Sequence, residues 1–312
     1  MVAIIYLIVG FVILVYGANF LVDGGAALAH RLKISNIVIG LTVVAFGTST
    51  PELVVNMISS LDGNSALALG NVLGSNIFNI LAILGVTALC APIGIKRSTT
   101  WVEIPLTILA SVLILILAIG EPDALISRTE GFCLLCFFVV FIAYTLFIAK
   151  RGGVTEEVDI KPYGMGKSLL FIVLGLIGLI GGGRLLVNGA VQLAQLAGIS
   201  ERIIGLTIVS IGTSLPELAT SLIAARKRNA DIAIGNVVGS NIFNTFLILG
   251  ASASIMPLQV PEDSLPDIWV NMMASVLLFI FVFTGKGRRI SRWEGAVFLI
   301  GYLYYLIWLI VH

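Results

Sequence analysis

Charged side chains are scarce in this sequence of 312 residues, where they make up 11%, compared with roughly a quarter in an ordinary soluble domain. Histidine and cysteine are scarcer still, with two and three residues. Three cysteines cannot form a disulfide framework, and Cys133 and Cys136 have no other Cys or His nearby in sequence, so we expect them to pack inside a hydrophobic helix. No pair of nucleophile and base stands out, which argues against an enzyme and implies no cofactor.

Long apolar runs are what the sequence has instead. Hydrophobic residues make up 58% of the chain, and its mean hydropathy is +1.08. Runs of about 20 residues are long enough to cross a hydrocarbon core of about 30 Å as helices, and continuous runs favour helices over β-strands. The sequence therefore predicts an all-α polytopic membrane protein. Ten transmembrane helices are expected, at residues 4–28, 37–60, 66–89, 102–120, 130–149, 168–194, 203–225, 231–255, 266–284 and 293–311.

Lysine and arginine collect in alternate loops between these runs. By the positive-inside rule the loops that carry them are cytoplasmic, and the acidic or neutral loops face outward. Both termini are then expected outside, in a plasma or inner membrane. The basic loops contain Arg31 and Lys33; Lys96 and Arg97; Lys150, Arg151, Lys161 and Lys167; Arg226, Lys227 and Arg228; and Lys286, Arg288, Arg289 and Arg292.

The two halves of the chain repeat each other at an offset of 165 residues. GLTVVAFGTSTPEL at 40–53 aligns with GLTIVSIGTSLPEL at 205–218, and GNVLGSNIFN at 70–79 with GNVVGSNIFN at 235–244. Each half holds five predicted helices, and an odd number inserts the second half upside down, as in many secondary transporters. The sequence thus predicts one membrane domain made of two inverted-topology repeats. Its parts are a first repeat at 1–149, a cytoplasmic connector at 150–167 and a second repeat at 168–312.

A Gly-Thr-Ser-x-Pro-Glu motif interrupts the second helix of each repeat. Pro51 and Pro216 lack an amide hydrogen and disfavour helical geometry in the residue before them, which frees carbonyls in the preceding turn. Gly47 and Gly212 make local unwinding sterically easy. We therefore expect broken helices near the midplane, with a plain kink as the alternative.

Glu52 and Glu217 follow these prolines at equivalent positions of the two repeats. A carboxylate near the bilayer centre costs at least about 2.5 kcal/mol, and such residues usually mark ion or proton pathways. Inverted repeats pack around a pseudo-two-fold axis, so the two glutamates are expected to converge on one cavity. A structural salt bridge is the competing explanation, and Arg184 is the basic residue inside a predicted helix that could form it.

The third helix of each repeat contributes further oxygen atoms. Its Ser and second Asn lie four residues apart, on one helix face. Small residues allow these helices to approach their neighbours closely. An oxygen-only site suits hard cations such as Ca²⁺, which takes six to eight oxygen ligands, and disfavours soft transition metals. The polar residues are Ser75, Asn76 and Asn79, with Ser240, Asn241 and Asn244; the small residues are Gly70, Gly74, Gly235 and Gly239.

Together these segments resemble the cation/Ca²⁺ exchanger superfamily, and within it the Na⁺/Ca²⁺ exchangers. The paired GTSxPE and GNxxGSNIxN segments look like the two α-repeats of that family, over nearly the whole chain. The resemblance implies that Ca²⁺ is bound by Glu52 and Glu217 with the carbonyls of Thr48 and Thr213. For Na⁺ it implies the same glutamates, the carbonyls of Ala45 and Ser210, and the side chains of Thr48, Ser49, Ser75, Thr213, Ser214 and Ser240.

The resemblance implies an antiporter that exchanges Na⁺ for Ca²⁺ by alternating access, since H⁺/Ca²⁺ relatives carry Asn in place of the Thr-Ser pair. Some members, including K⁺-cotransporting ones, have Asp at a position matching Asn79 or Asn244. Two asparagines around this central pocket favour exchange that is independent of K⁺, and we expect it to be electrogenic. The chain is expected to work in lipid as a monomer, without nucleic acid or an obligatory protein partner. A Ca²⁺/H⁺ exchanger and, from another class, a cation channel stay open as alternatives.

Overall fold

A computed structural model describes residues 2–119, 125–150, 163–197, 210–285 and 287–311, and most of them are helical. Within these residues, seven helices are long and apolar enough to cross a membrane. An eighth span results if the bent pair Asn36–Thr48 and Thr50–Leu61 is counted as one. The prediction of a polytopic helical membrane protein is confirmed. The all-α prediction needs a correction, because the same residues include four β-strands of two residues each.

The first half of the chain is a series of helices, several of them divided by π-helical turns. The turns are Gly40–Val44 between α2 and α3, Phe78–Leu84 between α5 and α6, and Thr99–Glu103 before α7. The α-helices are α1 (Val2–Leu32), α2 (Asn36–Ile39), α3 (Ala45–Thr48), α4 (Thr50–Leu61), α5 (Ser65–Ile77), α6 (Gly85–Cys90), α7 (Ile104–Ile119) and α8 (Arg128–Lys150).

The second half follows the same order. A π-helical turn at Phe243–Leu249 joins α12 to α13, and a 3₁₀ turn at Glu262–Ser264 precedes α14. The predicted seventh helix is described only from residue 210, and most of the predicted connector lies outside the described residues. The helices are α9 (Met165–Leu196), α10 (Ser210–Thr213), α11 (Leu215–Arg226), α12 (Ala230–Ile242), α13 (Gly250–Ile255), α14 (Leu265–Thr284) and α15 (Arg292–Val311).

Two short β-pairings connect the halves. Strand β1 (Ile93–Gly94) pairs antiparallel with β4 (Arg289–Ile290), and β2 (Leu125–Ile126) pairs antiparallel with β3 (Leu258–Gln259). The 165-residue offset makes β3 the equivalent of β1, and β4 then corresponds to β2. Each strand therefore pairs with the strand of the other half that is not its equivalent. Such an exchange is what a two-fold relation between the halves produces. Because α7 separates β1 from β2, the halves are joined at both ends of the bundle.

The interiors of the two halves are formed by the segments Ser65–Cys90 and Ala230–Ile255, which are largely buried. By contrast, most of α1 and α9 faces outward, and these two helices pack against each other. Glycines spaced seven residues apart allow their backbones to touch: a Cβ at Gly17 would lie 2.7 Å from the Leu179 nitrogen. The series is Gly10, Gly17 and Gly24 on α1, with Gly175, Gly182 and Gly189 on α9.

Two packing predictions are wrong. Cys133 and Cys136 are exposed on α8 rather than packed inside, and a Cβ at Gly70 would have no neighbour within 4 Å. The prediction is correct for the second half, where a Cβ at Gly239 would lie 2.8 Å from the Ala45 Cβ and Gly235 also contacts its neighbours closely. In a bilayer both the protein interior and the lipid are apolar, so an apolar or small residue does not reveal which of them it faces.

Candidate ion-binding site

Each half of the chain contains a helix that breaks at a serine. Helix α3 ends at Thr48 and α4 begins at Thr50, with a bend of 47° between the two segments. Ser49 lies in the break with φ −81° and ψ 7°, and Ser214 has φ −91° and ψ 7° between α10 and α11. Proline follows in the first turn of α4 and α11, where its missing amide hydrogen disrupts no bond. The local geometry agrees with the predicted interruption of each helix, and the position of these interruptions at the midplane stays a prediction.

The two glutamates lie just after these breaks, in the first turns of α4 and α11. Both are 1% exposed, and the partial positive charge of a helix N-terminus favours a carboxylate there. Ser214 Oγ donates to Glu52 Oε1 at 2.9 Å, and Ser49 Oγ donates to Glu217 Oε1 at 3.0 Å. Each glutamate is therefore held by the opposite half, and the two form one site.

Four asparagines continue the site toward the facing helices. Asn79 and Asn244 lie in the π-helical turns after α5 and α12, and such turns are frequent at functional sites. Asn79 Nδ2 donates to Asn241 Oδ1 at 2.9 Å, and Asn244 Nδ2 donates to Asn76 Oδ1 at 3.1 Å. All four are buried. The bonds cross between the halves and fix the orientation of each amide.

Four carboxylate and amide oxygens in this region are buried without a hydrogen-bond donor among the described residues, and the hydroxyl Ser240 Oγ also has no partner there. The four are Glu52 Oε2, Glu217 Oε2, Asn79 Oδ1 and Asn244 Oδ1. Leaving a buried acceptor unpaired is costly, by about 1–3 kcal/mol or more for a charged group. A hard cation is one partner that would satisfy such oxygens. The described residues contain no cluster of three or more His, Cys, Asp or Glu side chains, so any cation held here would also need ligands other than carboxylates. Carboxylate and amide oxygens suit hard cations.

The other predicted ligands lie around the glutamates. Thr48 Oγ1 donates to Asn236 Oδ1 at 3.0 Å and lies 3.3 Å from the Ala45 carbonyl oxygen. Ser214 Oγ also lies 3.3 Å from Ser75 Oγ. Residues Ala45, Thr48, Ser75 and Ser240 are buried, Thr213 is half-buried, and the side chain of Ser210 lies outside what the structure describes.

Gly47 and Gly212 were predicted to serve both the helix break and packing, and their contacts agree with packing. Gly47 and Gly212 are helical residues two positions before the breaks, and both face α9. A Cβ added to Gly47 would lie 2.3 Å from a methyl carbon of Leu176. A Cβ added to Gly212 would lie 2.3 Å from a methyl carbon of Val187. Close approach to α9 explains them better than unwinding does. Gly74 is half-buried on α5.

Sequence reasoning missed two asparagines that support the glutamates. Asn236 Nδ2 donates to the Glu217 carbonyl oxygen at 3.2 Å and to Ser221 Oγ at 2.9 Å. In the first half, Asn71 Nδ2 donates to the Glu52 carbonyl oxygen at 3.4 Å. The sequence did contain a signal, because Asn71 and Asn236 each follow a glycine in the repeated GNxxGSN segment. Its meaning depends on a contact between neighbouring helices that the sequence does not show.

The alternative of a structural salt bridge is not supported. Arg184 is exposed on α9 and lines a cavity of about 160 Å³ beside Pro51 and Pro216. The ion pairs seen among the described residues are Lys96 with Asp231 and Lys227 with Asp23. The glutamates instead accept hydrogen bonds from the neutral hydroxyls of Ser49 and Ser214.

Comparison with known proteins identifies the family. Residues 2–147 and 167–311 match the sodium/calcium exchanger protein family. The chain belongs to this family. It is 40% identical to CaxA of Alkalimonas amylolytica over 98% of this chain and 99% of that protein. It is 31% identical to the sodium/calcium exchanger MaX1 of Methanosarcina acetivorans, over 96% of each. A solved structure of the sodium-calcium exchanger NCX_Mj in Na⁺ and Sr²⁺ is 32% identical, with a TM-score of 0.85 over 98% of this chain and 99% of that one.

Membership of the sodium/calcium exchanger family confirms the resemblance seen in the sequence. The family consists of exchangers, which are transporters rather than enzymes. The likeness to NCX_Mj extends over almost the whole chain, so the exchanger fold is shared and not only the repeated motifs. Cation/Ca²⁺ exchange is therefore the activity that family and fold support.

Proposed function

We propose that this exchanger moves Na⁺ and Ca²⁺ in opposite directions by alternating access, with the two ions competing for Glu52 and Glu217. The observation that carries this proposal is the set of four buried oxygens without donors, two from carboxylates and two from amides. Two carboxylates balance the charge of one Ca²⁺, and Ca²⁺ accepts the flexible mixed-oxygen geometry that these side chains offer. Na⁺ is also a hard cation that prefers oxygen, and its lower charge allows more than one ion to replace one Ca²⁺.

The ligands that we propose for Ca²⁺ are both glutamates and the carbonyls of Thr48 and Thr213. For Na⁺ we propose that the same glutamates act with neighbouring carbonyls and hydroxyls. The cross-bonded Ser49 and Ser214 support this, because the same hydroxyls that now donate to the glutamates have lone pairs that a cation can use. The Na⁺ set is completed by Ala45, Thr48, Ser75, Ser210, Thr213 and Ser240.

The architecture we propose is ten helices in two inverted repeats, with both termini outside a plasma or inner membrane. The exchanged β-pairings and the reciprocal serine-glutamate bonds support a two-fold relation between the halves. The pair β1 and β4 joins the loop of Lys96 and Arg97 to that of Arg288 and Arg289. Two basic loops on one face of the bundle fit the positive-inside rule, which assigns that face to the cytoplasm.

Coupling to Na⁺ alone, without K⁺, is proposed because Asn79 and Asn244 are neutral. The central pocket then lacks the extra negative charge that a bound K⁺ would favour. The hydrogen bonds of the two amides to Asn241 and Asn76 direct only their oxygens toward a ligand. We also propose that one chain is sufficient, because both halves of the site lie in the same polypeptide.

The experiment that tests this function is uptake of radioactive Ca²⁺ into proteoliposomes loaded with Na⁺. We expect rapid uptake on dilution into choline buffer and little on dilution into Na⁺ buffer, because only the former leaves an outward Na⁺ gradient. Uptake should persist when all K⁺ is replaced by choline. Uptake driven by a pH gradient without Na⁺ would instead indicate a Ca²⁺/H⁺ exchanger. Uptake that needs no counter-ion gradient would indicate a channel.

A further inference from the structure

A large apolar groove opens between the ends of α1 and α8 and the broken helix of the first half. Its volume is about 760 Å³, within the range of about 300–1,000 Å³ that encloses ligands of drug size. On α8 the lining residues extend from Ile142 to Lys150, which is about 12 Å along the helix axis. The groove therefore reaches from one membrane surface into less than half of a hydrocarbon core of about 30 Å. Its walls include Leu28, Val38, Val43 and Leu146.

Two lysines lie at the membrane-surface end of this groove. Lys33 follows the last residue of α1, and Lys150 is the last residue of α8. Both are exposed, and neither takes part in the ion pairs seen among the described residues. The groove thus combines aliphatic walls with two ammonium groups at its mouth. An amphipathic molecule with a negatively charged head is complementary to both features.

The backbone of Lys33 is a second, independent sign that a positive charge matters there. Lys33 has φ 55°, a left-handed conformation that is unfavourable for side chains other than that of glycine, in the turn that ends α1. The offset between the halves aligns Lys33 with Gly198 and Arg228 with Gly63. Gly63 has φ 71° and Arg228 has φ 58°. Gly63 thus has the left-handed conformation in an acidic loop, whereas Lys33 and Arg228 adopt it in basic loops despite the backbone strain.

We propose that this groove binds an anionic phospholipid, with its phosphate between Lys33 and Lys150 and an acyl chain along α8. Basic pockets between transmembrane helices on the cytoplasmic side are suited to anionic headgroups. The acyl chain of this lipid would lie against Val43, which belongs to the π-helical turn leading directly into α3. The bound lipid therefore contacts the segment that ends at the helix break beside Glu52.

The test is native mass spectrometry of the purified full-length protein titrated with phosphatidylglycerol or phosphatidylcholine. We expect the wild type to bind phosphatidylglycerol more tightly, because each lysine close to an anionic lipid strengthens binding roughly fivefold. The double variant Lys33→Gly with Lys150→Gln should lose about thirtyfold in affinity for phosphatidylglycerol and none for phosphatidylcholine. Glycine at position 33 also relieves the strained backbone, so this variant is expected to fold at least as well as the wild type.

Arg31→Gln is the matched control, because Arg31 is an exposed basic residue of the same loop that does not line the groove. It should leave the affinity unchanged. Ala149→Phe keeps both lysines but fills part of the groove, and it should weaken phosphatidylglycerol binding as well. Equal binding of the two lipids by the wild type, or full phosphatidylglycerol affinity in the double variant, would overturn the headgroup site. Unchanged binding by Ala149→Phe would overturn the acyl-chain position.

Discussion

At the scale of single residues, each glutamate of the site depends on the other half of the chain. Ser214 donates to Glu52 and Ser49 donates to Glu217, so each carboxylate is oriented by a serine of the other half. We expect Glu52→Gln or Glu217→Gln to reduce Ca²⁺ exchange to background, because one carboxylate cannot balance a dehydrated divalent ion in a low-dielectric site. Na⁺-driven Ca²⁺ uptake in proteoliposomes measures the effect.

Glu103→Gln is the control for this experiment. Glu103 is also fully buried, and Tyr144 Oη donates to its Oε1 at 2.8 Å, but it belongs to the turn before α7 and not to the ion site. The control should transport, which shows that exchange tolerates a buried glutamine elsewhere. Near-normal uptake by a folded Glu52→Gln or Glu217→Gln protein would contradict a shared site.

Asn236 is a positioning residue, and its removal should weaken Ca²⁺ binding without abolishing transport. The side chain donates to the Glu217 carbonyl and to Ser221, and it accepts from Thr48. Asn236→Ala leaves these buried groups unpaired, at about 1–3 kcal/mol each, so the apparent Ca²⁺ affinity should fall about tenfold or more. The measurement is the Ca²⁺ concentration dependence of the uptake rate.

A buried asparagine outside the site provides the comparison. Asn271 on α14 is fully buried and donates to Ser111 Oγ at 3.2 Å. Asn271→Ala should lower stability by a similar amount while leaving the Ca²⁺ dependence unchanged. If both alanine variants shift the Ca²⁺ dependence equally, the effect comes from general destabilisation and Asn236 has no special role.

At the scale of elements, the contact between α1 and α9 depends on the absence of side chains at spaced glycines. A Cβ at Gly17 would lie 2.7 Å from the Leu179 nitrogen and 2.9 Å from the Gly175 carbonyl oxygen. Backbone atoms cannot move aside as a flexible side chain can. Gly17→Val should therefore destabilise the protein by about 1–3 kcal/mol or more, seen as a lower Tm in detergent.

Gly181→Val serves as the control for this contact. Gly181 lies on α9 itself, and a Cβ there would have no neighbour within 4 Å. The substitution should change Tm little, because helix propensity differs only slightly between the two residues. Equal loss of Tm in the two variants would mean that the close α1–α9 approach is not what the glycine at position 17 provides.

Element positions and the broken helices were predictable from the sequence because hydropathy and proline act locally. The predicted run at 266–284 corresponds to α14 at Leu265–Thr284, and the motif before Pro51 marks the break at Ser49. The contacts between helices were harder to predict from the sequence. The supporting bond from Asn236 to Glu217 crosses between two helices, and the exposed position of Cys133 depends on helix rotation. Apolar residues face both protein and lipid, so composition does not fix that rotation.

At the scale of the whole molecule, the topology that we propose rests on the basic loops and is directly testable. The native cysteines Cys90, Cys133 and Cys136 are exposed, so they must first be replaced by serine. In that background we expect Asp62→Cys to react with an impermeant thiol reagent in intact cells, and Arg226→Cys to react only after lysis. Both positions are exposed at opposite ends of the bundle in our topology. Labelling of Arg226→Cys in sealed cells would remove the orientation with outside termini.

The charge balance of the whole site determines how transport responds to voltage. Two glutamates neutralise one Ca²⁺, and two Na⁺ would neutralise them equally, giving exchange without net charge. The unpartnered amide oxygens of Asn79 and Asn244 offer ligands in the region between the glutamates, which supports a third Na⁺. A third Na⁺ moves one net charge per cycle, worth about 2.3 kcal/mol per 100 mV. Electrogenic exchange is thus the expectation.

The direction of the voltage effect follows from the direction of the extra charge. When Na⁺-loaded liposomes take up Ca²⁺, three Na⁺ leave for each Ca²⁺ that enters, so one positive charge leaves per cycle. An inside-negative potential set with valinomycin should therefore slow uptake, and an inside-positive potential should accelerate it. Liposomes in which an ionophore has dissipated the Na⁺ gradient provide the background at each potential. Rates that are the same at all imposed potentials, while the Na⁺ dependence is intact, would indicate two Na⁺ per Ca²⁺ and leave the amide oxygens to bind water instead of a third ion.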